Sequence, residues 1–366
     1  MTIRVDLLEK SDDSLWDEYI FNNPQGTPYH LSGWMRAIEK AYGHQSYFLI
    51  ALRASSDSSV SGPEKIAGVL PLVHLKHFIF GNTLISLPFC DMGGVIADDD
   101  AIEAELIRSA IHLARSVGCE VIELRHSSPH AFLSKEGELI RDGDVRIITR
   151  QHKVRMLREL MPSAEELMRS FKAKLRSQIR RPMRDGLYSV IGGEELLDDF
   201  YEVFARNMRK LGSPVHSKRF IGAVSEELPE RTKFILVYHE KRPLACGMVI
   251  GSCKTLRNPW ASALHEYSRM SPNMLLYWTM IEYACDRGYQ YFDFGRSSPG
   301  EGTYRFKEQW GAQPFPLCWD YITTGRAVVP GEEEGRGRQI AAALWKKLPV
   351  PLTRFIGPSI RKHIGL

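Results

Sequence analysis

Ala114-Arg-Ser-Val-Gly118-Cys-Glu-Val-Ile-Glu123-Leu-Arg-His-Ser127-Ser-Pro129 and Ala284-Cys-Asp-Arg-Gly288-Tyr-Gln-Tyr-Phe-Asp293-Phe-Gly-Arg-Ser297-Ser-Pro299 align without a gap at an offset of 170 residues. Each stretch reads as the end of a helix, a glycine stop, a strand carrying one carboxylate and a Ser-Ser-Pro turn. Five of the sixteen positions are identical. Solenoid repeats run to about 20–50 residues, so this much longer period marks a duplicated domain. Two related α/β domains in one chain are expected to form a cleft between them, the usual place for a ligand.

Working outward, the elements ahead of each stretch also recur. The first half opens with a strand over Ile3–Leu7 and an amphipathic helix from Ser32 to Ala41, stopped by Gly43. Strands follow at Tyr47–Arg53 and Ile66–Leu75, joined by a loop over 54–63, then at Leu84–Phe89 and Gly93–Ala97. A helix over Ile102–Val117 leads into the strand Glu120–Leu124. The second half repeats the order: a helix over Leu196–Leu211, a hairpin of Lys233–Tyr238 with Leu244–Gly251, and a strand at Ala261–Glu266. Ser271-Pro272 supplies N-cap and N1 chemistry for a helix ending at Gly288. The strand Tyr289–Phe294 closes the unit. Helix, antiparallel hairpin, helix, strand is the order of an acyltransferase-type α/β domain, here present twice. The reading divides the chain into a domain at 1–155, a second at 156–325, and a tail at 326–366 holding a linker (331–337) and a basic helical segment.

Composition bounds the function. With 366 residues, 43% hydrophobic and 25% charged, the chain is an ordinary globular protein of about two domains. Its six cysteines form no CxxC pair and no Cys/His spacing for zinc; they read as reduced, buried thiols, and no metal is expected. The N-terminus has no apolar signal core and no window reaches the roughly 20 apolar residues of a membrane span, which implies a cytoplasmic protein. The net charge of +4 is unevenly spread. Arg150–Arg184 holds eleven Lys/Arg against three acids, and Arg336–Leu366 holds seven against none. Such patches suit a phosphate, a nucleic acid or an anionic membrane surface.

Three further stretches carry a resemblance to a known family: Lys174-Leu-Arg-Ser-Gln-Ile-Arg-Arg181 with Arg184-Asp-Gly-Leu187; Leu275 through Gly295; and Gly302-Thr-Tyr-Arg-Phe-Lys307-Glu-Gln-Trp-Gly311. In this order and spacing the chain resembles the FemAB-like proteins over residues 5–325. These are tandem GNAT-fold (acyl-CoA N-acyltransferase fold) proteins related to the aminoacyl-tRNA-dependent transferases of cell-wall synthesis. Arg296-Ser-Ser-Pro299, Ile85-Ser-Leu-Pro-Phe89 and Trp345-Lys-Lys-Leu-Pro-Val-Pro look closer to a subfamily associated with exosortase/PEP-CTERM and exopolysaccharide loci. The resemblance implies two tandem GNAT-like domains with mixed sheets, the second of the BioF2-like acetyltransferase type, followed by a basic helical tail. It implies transfer of an acyl or aminoacyl group to an amine of a phosphorylated or lipid-linked saccharide or peptide precursor, without a covalent enzyme intermediate. The donor stays open between aminoacyl-tRNA and acyl-CoA, with no tightly bound cofactor. About 45 residues separate Arg184 from Lys233, too few for the coiled-coil arm of many cell-wall enzymes, which weakens the case for tRNA. Two other readings stand: an acyl-CoA-dependent N-acyltransferase of amino sugars, and a non-catalytic module of a polysaccharide assembly complex.

The chemistry gathers on a few residues. No Q/R-x-x-G-x-G/A pyrophosphate loop and no Gly-x-Ser-x-Gly elbow is present. Asp293 lies mid-strand among aromatics, where a carboxylate must be paired or face a cleft. It reads as the group that positions or deprotonates an acceptor amine, and Lys307 as the group that steadies an oxyanion or phosphate; the competing reading is a buried pair bracing the 295–307 loop. Arg296, Tyr304, Arg305 and Trp310 are substrate-binding candidates around them. Lys174, Arg176 and Arg180 rim an amphipathic helix ended by Pro182 and read as a phosphate clamp. Trp34, His30 and Asp91 of the first domain lie in loop-like stretches and read either as facing the cleft or as caps and packing around a glycine turn. The tail combines basic and apolar residues as an interfacial segment would, giving peripheral contact with an anionic inner membrane or, alternatively, a helix packed on the second domain.

Overall fold

The computed structural model describes residues 3–8, 12–53, 65–130, 145–324 and 336–365. The expected loop 54–63 and most of the linker 331–337 lie outside them. The chain divides into two compact units: Met1–His152 with Pro316–Glu333 and His363–Leu366, and Lys153–Phe315 with Glu334–Lys362.

In the first unit the elements are β1 (Ile3–Leu7), α1 (Asp13–Asn22), α2 (Ser32–Tyr42), β2 (Gln45–Arg53), β3 (Lys65–His77), β4 (Gly81–Ile85), β5 (Ile96–Ala97), α3 (Asp100–Ser116), β6 (Val121–His126) and the start of β7 (Val145–Glu159). Gly43, at φ 70, stops α2 as expected, since a left-handed C-terminal position favours glycine. Asp99 caps α3 by accepting from the amides of Ala101 and Ile102. The sheet runs β1-β2-β3-β4-β6-β13, with β5 on β3. Strand β4 is shorter than the expected Leu84–Phe89: Phe89 takes φ 70, which no strand continues.

The second unit holds the rest of β7, α4 (Ala164–Ser170), α5 (Ala173–Arg184), β8 (Leu187–Gly192), α6 (Leu197–Leu211), α7 (Lys218–Glu227), β9 (Thr232–His239), β10 (Arg242–Ser252), β11 (Thr255–Ala263), α8 (Pro272–Asp286), β12 (Tyr291–Ser297), α9 (Gly302–Glu308), and the tail helices α10 (Arg336–Trp345) and α11 (Val350–Arg361). Its sheet order is β7-β12-β11-β10-β9-β8. Helix α8 buries Met274, Leu275, Leu276, Trp278, Met280 and Ile281, each large side chain contributing roughly 1.5–3 kcal/mol. Two local expectations need correction. Ser271 does not cap α8: it sits at φ 55 and its hydroxyl makes no capping bond, leaving Pro272 at N1 as the start signal. Pro182 does not end α5, which continues to Arg184; so near the C-terminus the ring removes one hydrogen bond of the last turns only.

β13 (Gln313–Thr324) follows the second copy in sequence, yet its residues 318–323 pair antiparallel with β6 of the first unit. β7 follows the first copy, yet its residues 154–159 pair antiparallel with β12 of the second. Each unit is thus closed by a strand from the other half of the sequence.

Candidate active site

The two copies share a backbone feature. In the first unit β4 and β6 pair in parallel through Thr83↔Val121, Leu84↔Ile122 and Ile85↔Glu123. In the second, β11 and β12 pair in parallel through Thr255↔Tyr291, Leu256↔Phe292 and Arg257↔Asp293. Glu123 and Asp293 therefore occupy the same place, the last rung of a three-rung parallel ladder. Beyond that rung in the second unit, β11 stays on β10 (Trp260↔Met248, Ala261↔Gly247) and β12 stays on β7 (Arg296↔Arg155, Ser297↔Val154), to which it is also paired at Asp293↔Leu157. The parallel pairing of β11 with β12 thus ends at the carboxylate, and the end of a ladder is a setting in which an extended substrate can add as a partial strand.

What lies beyond the rung differs between the units. In the first, Arg125 is 1% exposed and binds Glu123 through Nε at 2.8 Å and Nη2 at 2.7 Å. Its Nη1 donates to the carbonyls of Leu87 (3.1 Å), Cys90 (2.8 Å) and Gly365 (3.3 Å). Its own carbonyl accepts from Gly93 and Gly94. Glu123, the equivalent of Asp293, is thus paired with a guanidinium that is itself tied to backbone carbonyls. At the offset of 170, the residue matching Arg125 is Gly295.

Gly295, at φ 72, sits where the β12–β7 register shifts between Asp293 and Arg296, a bulge conformation that suits glycine. Asp293 is 2% exposed. Its Oδ1 accepts the Gly295 amide at 2.9 Å, and its Oδ2 faces the guanidinium nitrogens of Arg257 (3.7 Å) and Arg155 (3.8 Å). Two cations offset the burial of the charge. Lys307, buried on α9, donates to the Gly295 carbonyl at 3.1 Å and the Arg296 carbonyl at 2.7 Å. Asp293 and Lys307 thus grip the same bulge from its amide and carbonyl sides. Arg155 and Arg257 were not singled out from sequence, because an arginine inside a strand reads as solvent-facing. Only the register of Arg257 against Asp293 reveals it.

The structure brings Arg296 into this cluster through its carbonyl. Tyr304 is half-buried against the core of the second unit and Arg305 is exposed. Trp310 is not a binding surface: it is wholly buried, its ring 5.8 Å from Phe171 and 6.2 Å from Phe306. Lys174 and Arg180 are exposed on α5, whereas Arg176 is spent on the carbonyls of Phe171 and Arg169 at the end of α4. In the first unit Trp34 is wholly buried core. His30 is a packing residue too: its ring bonds Thr27 Oγ1 at 2.7 Å and the Gly94 carbonyl at 3.1 Å. Asp91 offers its carbonyl to Trp319 Nε1 at 3.2 Å. Among the described residues no cluster of His, Cys, Asp or Glu could hold a metal.

Residues 169–308 match the family model of the acetyltransferase (GNAT) domain. No curated protein sequence matches the chain. Among solved structures, one described as FemX shares 14% identity at a TM-score of 0.66, covering 87% of this chain and 96% of its own. The C-terminal domain of a putative lysylphosphatidylglycerol synthetase from Agrobacterium fabrum shares 12% identity at 0.55, over 92% and 95% of the two chains. A tandem GNAT protein from the clavulanic acid biosynthesis pathway shares 11% identity at 0.55, over 90% and 100%. Residues 169–308 are therefore a GNAT acyltransferase domain, in a chain with the fold of the tandem GNAT proteins.

Proposed function

We propose that the second unit transfers an acyl or aminoacyl group from an activated ester or thioester to the amine of a phosphorylated or lipid-linked cell-envelope precursor, an exopolysaccharide intermediate being the class we favour. The observation that carries this reading is the end of the β11–β12 parallel pairing at Asp293, a buried carboxylate flanked by the guanidinium groups of Arg155 and Arg257. The donor lies along the end of this ladder with its carbonyl carbon near the bulge. The acceptor amine attacks that carbon and its proton passes to the Asp293 carboxylate; as the tetrahedral centre collapses the bond to sulfur or oxygen breaks, and the leaving thiolate or alkoxide takes that proton back from Asp293. Lys307 acts as a positioning residue that holds the bulge. Arg155 and Arg257 flank Asp293 and fix where its carboxylate points. Direct attack is supported by the state of the buried thiols: burial pushes Cys285 up to about 11 and Cys246 well above its ordinary value, so neither is a ready nucleophile.

The lysylphosphatidylglycerol synthetase and FemX among the structural neighbours favour an aminoacyl donor, and the acetyltransferase family match favours a thioester. Incubating the purified protein with an envelope-precursor extract and either acyl-CoA or charged tRNA distinguishes them by mass spectrometry. A precursor heavier by one acyl or aminoacyl group with one donor supports the proposal. No mass change with either donor removes it in favour of a binding module.

A further inference from the structure

The tail helices dock on the second unit and leave apolar side chains exposed. On α11 the helical period of 100° per residue sets Thr353, Gly357 and Arg361 on one side, and all three are buried. That side is docked: Gly357 lies against Val215, Arg361 Nε bonds His216 Nε2 at 3.1 Å, Arg354 bonds Glu202, and Arg209 bonds the Leu348 carbonyl at 2.8 Å. The opposite side carries Leu352 and Phe355, exposed at 41% and 82%. On α10, Ile340 and Leu344 stand one turn apart, at 58% and 60% exposure. Between the helices Lys346 and Lys347 are exposed. The end of α6 adjoins them, since Gly212 abuts Ala342 and Lys346, and it contributes exposed Lys210 and Leu211. From 336 to 366 the sequence holds no acid.

We infer that this outer face of α10 and α11 rests on an anionic phospholipid surface. Docking has fixed the helices, so the exposed side chains are presented without a further ordering cost. Aromatic and leucine side chains flanked by lysines match the acyl–headgroup boundary, with the apolar groups entering and the ammonium groups staying among phosphates. Apart from Glu202, which is paired with Arg354, the charge at this face is positive, the complement of phosphate headgroups. Among the described residues no helix is long and apolar enough to cross a membrane, so the contact lies in the plane of the interface. This inference is independent of the transfer chemistry and is tested without it.

The experiment is vesicle co-sedimentation of the whole chain with phosphatidylcholine vesicles and with vesicles of three parts phosphatidylcholine to one part phosphatidylglycerol. The wild type is expected to partition onto the anionic vesicles at least about tenfold better than onto the neutral ones, and to leave them in high salt. L344S/L352S/F355S is expected to lose about tenfold or more in partitioning, and K346E/K347E to lose the preference for anionic lipid. All five side chains are exposed, so circular dichroism and melting should match the wild type and confirm that folding is retained. Equal partitioning of wild type and both variants, or no binding of the wild type, overturns the inference. So does a wild type that sediments as a dimer in solution while the apolar variant is monomeric, which assigns the face to a second copy.

Discussion

At the scale of single residues, the account turns on two positions 170 residues apart. Arg125 fills the space beside Glu123, and Gly295 leaves the matching space beside Asp293 without a side chain. Asp293→Asn keeps an acceptor for the Gly295 amide but removes the charge between Arg155 and Arg257. We expect transfer per folded molecule to fall by about 100-fold or more, the range of a lost acid–base group, with melting only modestly lowered. Lys307→Met should do the reverse: two main-chain carbonyls lose their donor, costing about 1–3 kcal/mol, while activity follows bulge integrity. Thermal melting beside an activity assay separates the two substitutions; a Lys307 variant of wild-type stability and no activity would make Lys307 a catalytic residue instead. Gly295→Ala places a Cβ at φ 72 and should cost about 1–2 kcal/mol, measured by denaturant titration.

At the scale of elements, the tail shows how docking depends on protonation. Burial, with the Arg361 charge second, holds the His216 imidazole well below its ordinary value. A base whose folded pKa lies below its unfolded one is neutral in the fold and protonated in the unfolded chain between the two values. The stability it contributes is thus complete above about pH 6.5 and is lost as pH falls towards the folded value. His126, buried in the first unit, is lowered in the same sense. Melting temperature should therefore fall from pH 7.5 to 5.5, and proteolysis after Arg354 or Lys362 should quicken over that range. A tail equally protected at both pH values would contradict the His216 linkage. Much of this level was legible in the sequence. Gly118 and Gly288 stop α3 and α8 at equivalent points, both with positive φ, and the hairpins β2–β3 and β9–β10 pair as read. What stayed hidden was non-local. Periodicity marks a strand, not its neighbour, so nothing in 145–159 or 313–324 announced that each closes the opposite unit. For Trp34, His30 and Trp310 the sequence leaves cleft and core both open, because it shows an aromatic or imidazole group without its burial; all three are packed.

At the scale of the molecule, the two units hold a carboxylate on the same rung, Glu123 bound by a guanidinium of its own strand and Asp293 flanked by arginines of the two neighbouring strands. In the first unit Arg125 satisfies Glu123 and three carbonyls of that unit. Equal carboxylates in equal places should therefore have unequal roles. The most direct test compares Glu123→Gln with Asp293→Asn, at matched concentrations of folded protein, by the rate at which an acylated precursor appears in mass spectrometry. Glu123→Gln should lower stability by about 1.5–3 kcal/mol, the worth of a hydrogen bond to a charged partner, and leave the rate per folded molecule within about threefold, while Asp293→Asn should lower it by about 100-fold or more. A Glu123→Gln variant as impaired as Asp293→Asn, or an Asp293→Asn variant that turns over normally, would contradict the assignment of chemistry to the second unit.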